Sequence, residues 1–484
     1  MFEIEKGDDI MLKKTKIVCT LGPASSDEQV MKNMLEEGMN VARLNFSHGT
    51  HEEHRAKIET FRKVRDEIDI PAAVMLDTKG PEIRLRDFEN DSEILEDGDT
   101  FTLTSEDCQG SRERVGISFK ELPSQVGKGT VILIDDGRIK MEVTECTATD
   151  VVCRVVEGGK VSNRKGVNIP GSSLDLEYIS DADRADILFG IEMDVDYIAA
   201  SFVRSGDDVR KLRKLLNENG GEKIKIISKI ENMEGIANFD EILELSDGIM
   251  VARGDMGVEV DFEKLPGIQK KFIKACCIAG KPVITATQML ESMTYNPVPT
   301  RAEITDVANA VFDGTSAVML SGESAAGKFP VETVRTMTKI LNQAEQDAED
   351  VNQYKFLEVE SYAGDVSAAI GHAACTTAED IDASVIIAVT TSGYTAEMMA
   401  KYKPTVPVIA ATPKLKTYHQ QALTRGVYPV KTKVSSEWND LMSEAVSGAK
   451  RMGFVESGDS VVLTAGMPLQ TTGKTNLIRV TVAE

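Results

Sequence analysis

Two carboxylates and an ammonium stand close together near the middle of the chain. In KIISKIEN, Lys229 and Glu231 are two residues apart in a run that reads as a β-strand, so their side chains leave the same face. Asp255 closes the next apolar run, GIMVARGD. Carboxylates from neighbouring strand ends make a hard oxygen site, suited to a Mg2+ ion that keeps several waters and bridges a phosphate. An ammonium beside them would neutralise charge on a moving phosphoryl group. The plainer reading of the same spacing is a structural Lys–Glu ion pair. Arg43, at the end of an earlier run, offers a guanidinium fork that fits phosphate oxygens. Gly254 has no side chain, so the N–H groups there and at Asp255 can approach a bound carboxylate.

These residues need a scaffold that brings strand ends together. Short apolar runs recur at KIVCTLG (16–22), VARLNFSHG (41–49), AAVMLDTKG (72–80), YIAASFVR (197–204), IKIISKIE (224–231), GIMVARGD (248–255), PVITATQM (282–289) and AVMLSGES (317–324). Each starts apolar and ends polar. That is the pattern of a parallel (β/α)8 TIM barrel, where strand bodies fill a dry core and C-terminal ends open into a site. Helices fit between the runs. Ser26 with Gln29 reads as a capping box ahead of Val30, Met34 and Leu35, and Gly38 ends that helix. Val209, Leu212, Leu215 and Leu216 form a stripe before Gly220. Pro266 suits a first turn before Ile268, Phe272 and Cys276, and Thr300 with Glu303 caps a helix bearing Ile304, Val307 and Val311.

One interval is too long for a loop, that between Asp77 and Tyr197. Short strand-like segments there are broken by EDGDT, GKGT, DDGR and EGGK, which read as hairpin signals. The expected organisation is a barrel domain over 1–86 and 166–345 with a short N-terminal arm, an inserted small β-barrel domain at 87–165 acting as a lid, and a C-terminal open α/β domain at 346–484. The last shows SVIIAVTTSG, VPVIAATP, SVVLTAG and NLIRVTV between helical stretches.

Composition narrows the partners. With 484 residues, 55 basic and 78 acidic side chains and a formal charge of −23, the surface does not suit nucleic acid, which asks for a basic face. The seven cysteines include no C-x-x-C spacing, so neither a disulfide framework nor structural zinc is implied. The acidic start MFEIEKGDDI lacks an apolar signal segment, and no run is long enough to span a bilayer. A soluble, cytoplasmic protein is the expectation.

Six motifs, MNVARLNFSHG, LDTKGPEIR, KGVNIPG, KIISKIEN, GIMVARGDMGVE and TATQMLESM, resemble the pyruvate kinase family in wording, order and spacing, across essentially the whole chain. The resemblance implies phosphoryl transfer from phosphoenolpyruvate to ADP, giving pyruvate and ATP, the last step of glycolysis. It implies Mg2+ (or Mn2+) on Glu231 and Asp255, with Lys229 stabilising the transition state and Arg43, Gly254 and Asp255 on the substrate. Thr287 matches the family's threonine beside the methylene carbon, where it would order a relay rather than act as the acid itself, since a hydroxyl has no useful acidity. Asn45, Ser47, Asp77 and Thr78 match the K+ ligands, and Glu82 agrees, because members with lysine there tend not to need the ion. Arg84 and Lys165 match contacts to nucleotide phosphates, with Asn45 and His48 beside them. Thr390, Thr391, Ser392, Gly393 and Thr395, joined by the loop around Gly473, lie at the family's effector position. A phosphorylated allosteric effector is implied, either a sugar phosphate or a nucleotide; Thr391 stands where animal forms responsive to fructose bisphosphate carry lysine. A homotetramer is the family expectation, without the phosphotransfer-like extension of some bacterial members.

Two motifs are set aside. His48, His51 and His54 are spaced by three, but zinc needs further ligands and NFSHG has no such role in the family. TTGKT ends like a phosphate-binding loop, yet Pro468 falls where a glycine is required. Two rival readings remain: another Mg2+-dependent enolate or phosphoenolpyruvate barrel enzyme, and a non-catalytic metabolite sensor on the same fold.

Overall fold

The computed structural model describes residues 13–350, 365–434, 437–468 and 474–484. The N-terminal arm, the loop around Gly473 and most of TTGKT lie outside the described residues. All eight expected runs form strands: Lys16–Thr20, Val41–Asn45, Ala73–Asp77, Tyr197–Ala200, Lys225–Ile230, Gly248–Ala252, Val283–Ala286 and Ala317–Leu320. They pair in parallel and in chain order, and the first meets the last, closing a barrel. The strands are short because their polar ends leave the ladder and turn into the mouth.

Two apolar layers hold the barrel. In the fifth strand Ile226 and Ile230 face the surrounding helices, while Ile227 joins an inner layer with Val18, Val41, Met75, Tyr197, Met250 and Ile284. Lys229, two residues after Ile227, therefore points inward. Leu423 of the C-terminal domain belongs to the same inner layer and stops the N-terminal end, and Tyr197 Oη donates to the Gln420 carbonyl at 2.6 Å.

Helices follow each strand largely as read. The Val209–Leu216 stripe is buried, Pro266 lies in the first turn of Leu265–Ala279, and Thr300 and Glu303 make the reciprocal cap. Ile304 departs from its stripe and is exposed, while Val307 and Val311 are buried. The first helix departs too. Its cap is Asp27, whose carboxylate accepts from the N–H groups of Gln29 and Val30, a stronger partner for a helix N-terminus than a hydroxyl. Ser26 instead donates to the Gly22 carbonyl at 2.7 Å.

The insertion forms a seven-stranded sheet that begins at Ile83–Arg84 and takes in Gly166–Asn168. A bridge between Leu85 and Ile117 joins its two edges, so the sheet curls on itself into a half-barrel. Of the four hairpin signals only DDGR joins paired neighbours, Val131–Ile134 and Ile139–Cys146. EDGDT and EGGK pass between this sheet and a two-stranded one, Ser92–Leu95 with Gly159–Ser162, and GKGT joins the short helix Leu122–Gln125 to a strand. Left-handed glycines such as Gly98 and Gly129 reverse the chain whether or not the flanking strands pair.

The C-terminal domain is a five-stranded mixed sheet in the order Val427–Lys431, Val408–Thr412, Val385–Val389, Ser460–Ala465, Leu477–Val482, the last strand antiparallel. The strand Val427–Lys431 is not among the runs expected from the sequence. Pro429 hides it, and the strand lies at the sheet edge where a missing N–H is tolerated. No described helix is long and apolar enough to cross a membrane.

Candidate active site

The fifth strand ends on Lys229 and Glu231, and two neighbours complete the cluster. Lys229 Nζ lies 3.0 Å from Asp77 Oδ1, 2.7 Å from Ser201 Oγ and 3.1 Å from Glu231 Oε1. Asp77 Oδ2 accepts from Arg43 Nε at 2.6 Å, and Arg43 Nη1 donates to Thr20 Oγ1 at 2.8 Å. Two cations and two carboxylates are thus buried at one mouth. Burial alone would raise the Asp77 carboxyl, but Arg43 and Lys229 outweigh it and hold it below the usual carboxylate range. Burial likewise works against the Lys229 ammonium, and Asp77 and Glu231 overcome that, so the lysine stays charged above its ordinary pKa.

Glu231 is the uncomfortable member. Its Oε2 accepts from the Phe202 N–H at 2.6 Å, while the buried Oε1 has no hydrogen-bond partner despite its closeness to Lys229. Burial pushes its carboxyl up to about 8, against the pull of Lys229 and with Asp255 adding to the push. A buried carboxyl whose only partner on one oxygen is an ion pair of poor hydrogen-bond geometry, and which feels the charge of a second carboxylate, is what a hard cation relieves. A cation held by Glu231 and Asp255 alone would keep most of its ligands as water or substrate oxygens. That fits Mg2+.

Asp255 lies in the first turn of the helix Arg253–Glu259, which starts directly from the sixth strand. The Gly254 N–H donates to Thr287 Oγ1 at 2.8 Å, and the Thr287 hydroxyl donates to the Ala286 carbonyl at 2.6 Å. Thr287 and Gln288 both have left-handed backbone, with φ of 68° and 54°. For a β-branched residue that conformation costs about 1–3 kcal/mol and persists only when surroundings impose it. Arg253, absent from the sequence reading, supplies them: its guanidinium donates to the Thr287 carbonyl at 2.6 Å and to Asp306 Oδ2 at 2.6 Å. Ser201, also unforeseen, bridges Lys229 and the Thr78 carbonyl, which it meets at 2.6 Å. Both were hidden in runs read for their apolar bodies.

Asn45, Ser47, Asp77 and Thr78 come together where the second and third strands end in register. Asn45 Oδ1 accepts from the Ser47 N–H at 3.1 Å, and Thr78 Oγ1 accepts from the Ser201 N–H at 3.1 Å. Beside them a cleft of about 480 Å³ opens between the barrel and the insertion, lined by His48, Glu82, Arg84, Lys165, Phe202 and Asp255. Arg84 pairs with Glu82, and Lys165 with Asp135 at 2.7 Å. Burial raises the Glu82 carboxyl, partly offset by Arg84.

His51 and His54 are engaged in local structure, and the 390–395 segment has its own hydrogen bonds. His54 stacks on Phe46 and bonds the His48 carbonyl, and His51 pairs with Asp186, so the three do not converge. At 390–395, Thr390 Oγ1 accepts from the Gly393 N–H at 2.9 Å, Ser392 Oγ from the Tyr394 N–H at 3.4 Å, and the Thr395 and Thr475 hydroxyls meet at 3.1 Å. The Thr391 carbonyl accepts from Thr417.

A closed parallel barrel with an ammonium, a guanidinium and a carboxylate pair at its C-terminal mouth, covered by an inserted β domain, defines a phosphoryl-transfer enzyme of the TIM-barrel class. Comparison with known proteins narrows it. Residues 12–334 match the family described as pyruvate kinase, barrel domain, and residues 368–481 match pyruvate kinase, alpha/beta domain. The chain is 46% identical to the pyruvate kinase of Clostridium acetobutylicum over 476 residues, covering 98% of this chain and 100% of that protein. It is 48% identical to that of Geobacillus stearothermophilus over 474 residues, covering 97% of this chain and 80% of that longer protein. A crystal structure of a pyruvate kinase from Cryptosporidium parvum superposes with a TM-score of 0.91 at 39% identity, over 98% of this chain and 96% of that one. The chain belongs to the pyruvate kinase family, and its activity is the transferase reaction of glycolysis that the family catalyses.

Proposed function

We propose that the mouth residues divide the reaction between them. Phosphoenolpyruvate lies with its phosphate against Arg43 and Lys229, and its carboxylate near Gly254 and Asp255. In this structure the Gly254 N–H is engaged by Thr287, so substrate would either displace that bond or rely on the Asp255 N–H. Lys229, held charged by Asp77, neutralises the equatorial oxygens as the phosphoryl group passes to ADP. The Thr287 hydroxyl then orders the delivery of a proton to the enolate methylene carbon.

Glu231 and Asp255 would hold Mg2+ or Mn2+, which when bound supplies positive charge to phosphoryl and enolate oxygens. The observation that carries this reading is the buried Glu231 carboxyl, whose Oε1 has the Lys229 ion pair but no hydrogen bond and whose pKa burial and Asp255 push up. Asn45, Ser47, Asp77 and Thr78 would hold K+, their amide, hydroxyl and carboxylate oxygens being the donors a hard monovalent ion takes. Arg84 and Lys165, with Asn45 and His48, would meet the nucleotide phosphates, exchanging their carboxylate partners Glu82 and Asp135 for ADP.

Residues 1–86 and 166–345 act in this reading as the catalytic domain, 87–165 as a lid over the cleft and 346–484 as the regulatory domain. The segment Thr390, Thr391, Ser392, Gly393 and Thr395 would take a phosphorylated effector, and the working form is a homotetramer in the cytoplasm, in keeping with seven free thiols. Lid motion is tested by a labelled distance between 87–165 and the barrel, which must shorten on adding substrate and metal.

The deciding experiment is pyruvate formation from phosphoenolpyruvate with ADP, Mg2+, K+ and candidate effectors varied one at a time. ADP-dependent turnover that requires both ions supports the assignment. Turnover without ADP would mean a different enolate chemistry at the same carboxylates.

A further inference from the structure

The seventh strand stops at Ala286, and the next two residues, Thr287 and Gln288, are both left-handed. Threonine does not choose that backbone, so something must impose it. Among the described residues, the hydrogen bonds that reach Thr287 from other elements come from one neighbouring turn. Arg253 is buried, and its guanidinium meets three successive parts of the distorted segment: Nε to the Ala286 carbonyl at 3.2 Å, Nη2 to the Thr287 carbonyl at 2.6 Å, and Nη2 to Met289 Sδ at 2.9 Å. The next residue, Gly254, donates its N–H to the Thr287 hydroxyl. Thr287 is thus gripped at its carbonyl and at its side chain from a single turn, the turn that also carries Asp255. The fork is steadied from behind by Asp306 on the helix Arg301–Asp313, at 2.6 Å from Nη1.

We infer that Arg253 is a positioning residue for the protonation step: it fixes the Thr287 hydroxyl relative to Asp255, with Asp306 as its anchor. The inference rests on the reading that Thr287 serves the methylene carbon. A planar fork suits the task because it reaches two carbonyls and a carboxylate in fixed directions, which a lysine cannot. Arg253 acts through main-chain oxygens and through Thr287, not on substrate.

The test is a double-mutant cycle on the full chain with Arg253→Lys and Thr287→Ala, reading kcat and KM for phosphoenolpyruvate together with exchange of the methyl hydrogens of pyruvate into deuterated solvent. Arg253→Lys is expected to lower kcat and the exchange rate about 100-fold, the loss a misplacement near 1 Å causes, with KM within about twofold. In the Thr287→Ala background the same change should cost almost nothing further. Asp306→Asn should lower kcat about fivefold and likewise lose its effect in the Thr287→Ala background. It carries the cycle if Arg253→Lys does not fold. Losses that multiply in full, or a change confined to KM, would overturn the positioning role while leaving Thr287 in place. Thr287→Ala with wild-type exchange would remove the assignment of Thr287 itself, and the inference with it.

Discussion

The N–H of Phe202 donates to Glu231 Oε2 at 2.6 Å, and the other oxygen lies 3.1 Å from the Lys229 ammonium, an ion pair without hydrogen-bond geometry. Phe202 holds a left-handed backbone, φ 51°, in the turn that follows the fourth strand, so the orientation of Glu231 is set by a strained residue beyond the end of a neighbouring strand. A carboxylate aimed in this way is poised for a cation.

Glu231→Gln keeps the volume and the Phe202 hydrogen bond but removes the charge. Divalent-ion affinity should fall about 100-fold, since one of two anionic ligands is lost. Titration with Mn2+ followed by its paramagnetic signal measures this directly, apart from turnover. Unchanged Mn2+ affinity would take Glu231 out of the metal site.

Lys229→Met should reduce pyruvate formation by about 10³-fold, the scale of removing a charge stabiliser from a phosphoryl-transfer site. Asp77 would keep Arg43 as partner, so the fold should survive; circular dichroism checks that. Wild-type turnover in this variant would restore the sensor reading of the fold.

The barrel was legible because its chemistry is periodic. Runs such as YIAASFVR and PVITATQM start with β-branched or small apolar residues and end polar, and that asymmetry has one common structural meaning. The pair Lys229 and Glu231 was legible from spacing alone, since a strand repeats every two residues. Arg253 and Ser201 were not, because their partners are far away in sequence and include carbonyls, those of Thr287 and Thr78, which leave no mark on composition. The left-handed backbone of Thr287 was hidden for the opposite reason: its residue type argues against it, and only tertiary contacts impose it. Val427–Lys431 was lost to Pro429, and the cap at Ser26 to the adjacent Asp27, where local propensity pointed two ways.

Glu82 faces the cleft close enough for its field to reach Asp255 and Lys229. If a K+ ion balances this acidic rim, an ammonium at position 82 should replace it. Wild-type activity should fall about tenfold or more in K+-free buffer, as one monovalent charge is removed from a low-dielectric site. Glu82→Lys should then show little dependence on K+. Equal rates with and without K+ in the wild-type enzyme would exclude the ion.

His419 gives a pH dependence of stability that is independent of catalysis. The residue is buried beside Arg65, Lys431, Arg62 and Lys416; burial first, then those cations, push its pKa down to about 3. In the unfolded chain an imidazole titrates near 6.5. Between those values the unfolded state binds the proton and the folded state does not, so stability is full above about pH 6.5 and is lost as pH falls toward 3. By pH 5 the loss should be on the order of 2 kcal/mol. Calorimetric melts of wild type and His419→Gln at pH 7 and pH 5 measure it as a difference, which cancels the titration of the many carboxylates. The variant should lose less on acidification, because glutamine takes up no proton in either state. Equal acid losses in the two proteins would show that His419 is already charged in the folded domain.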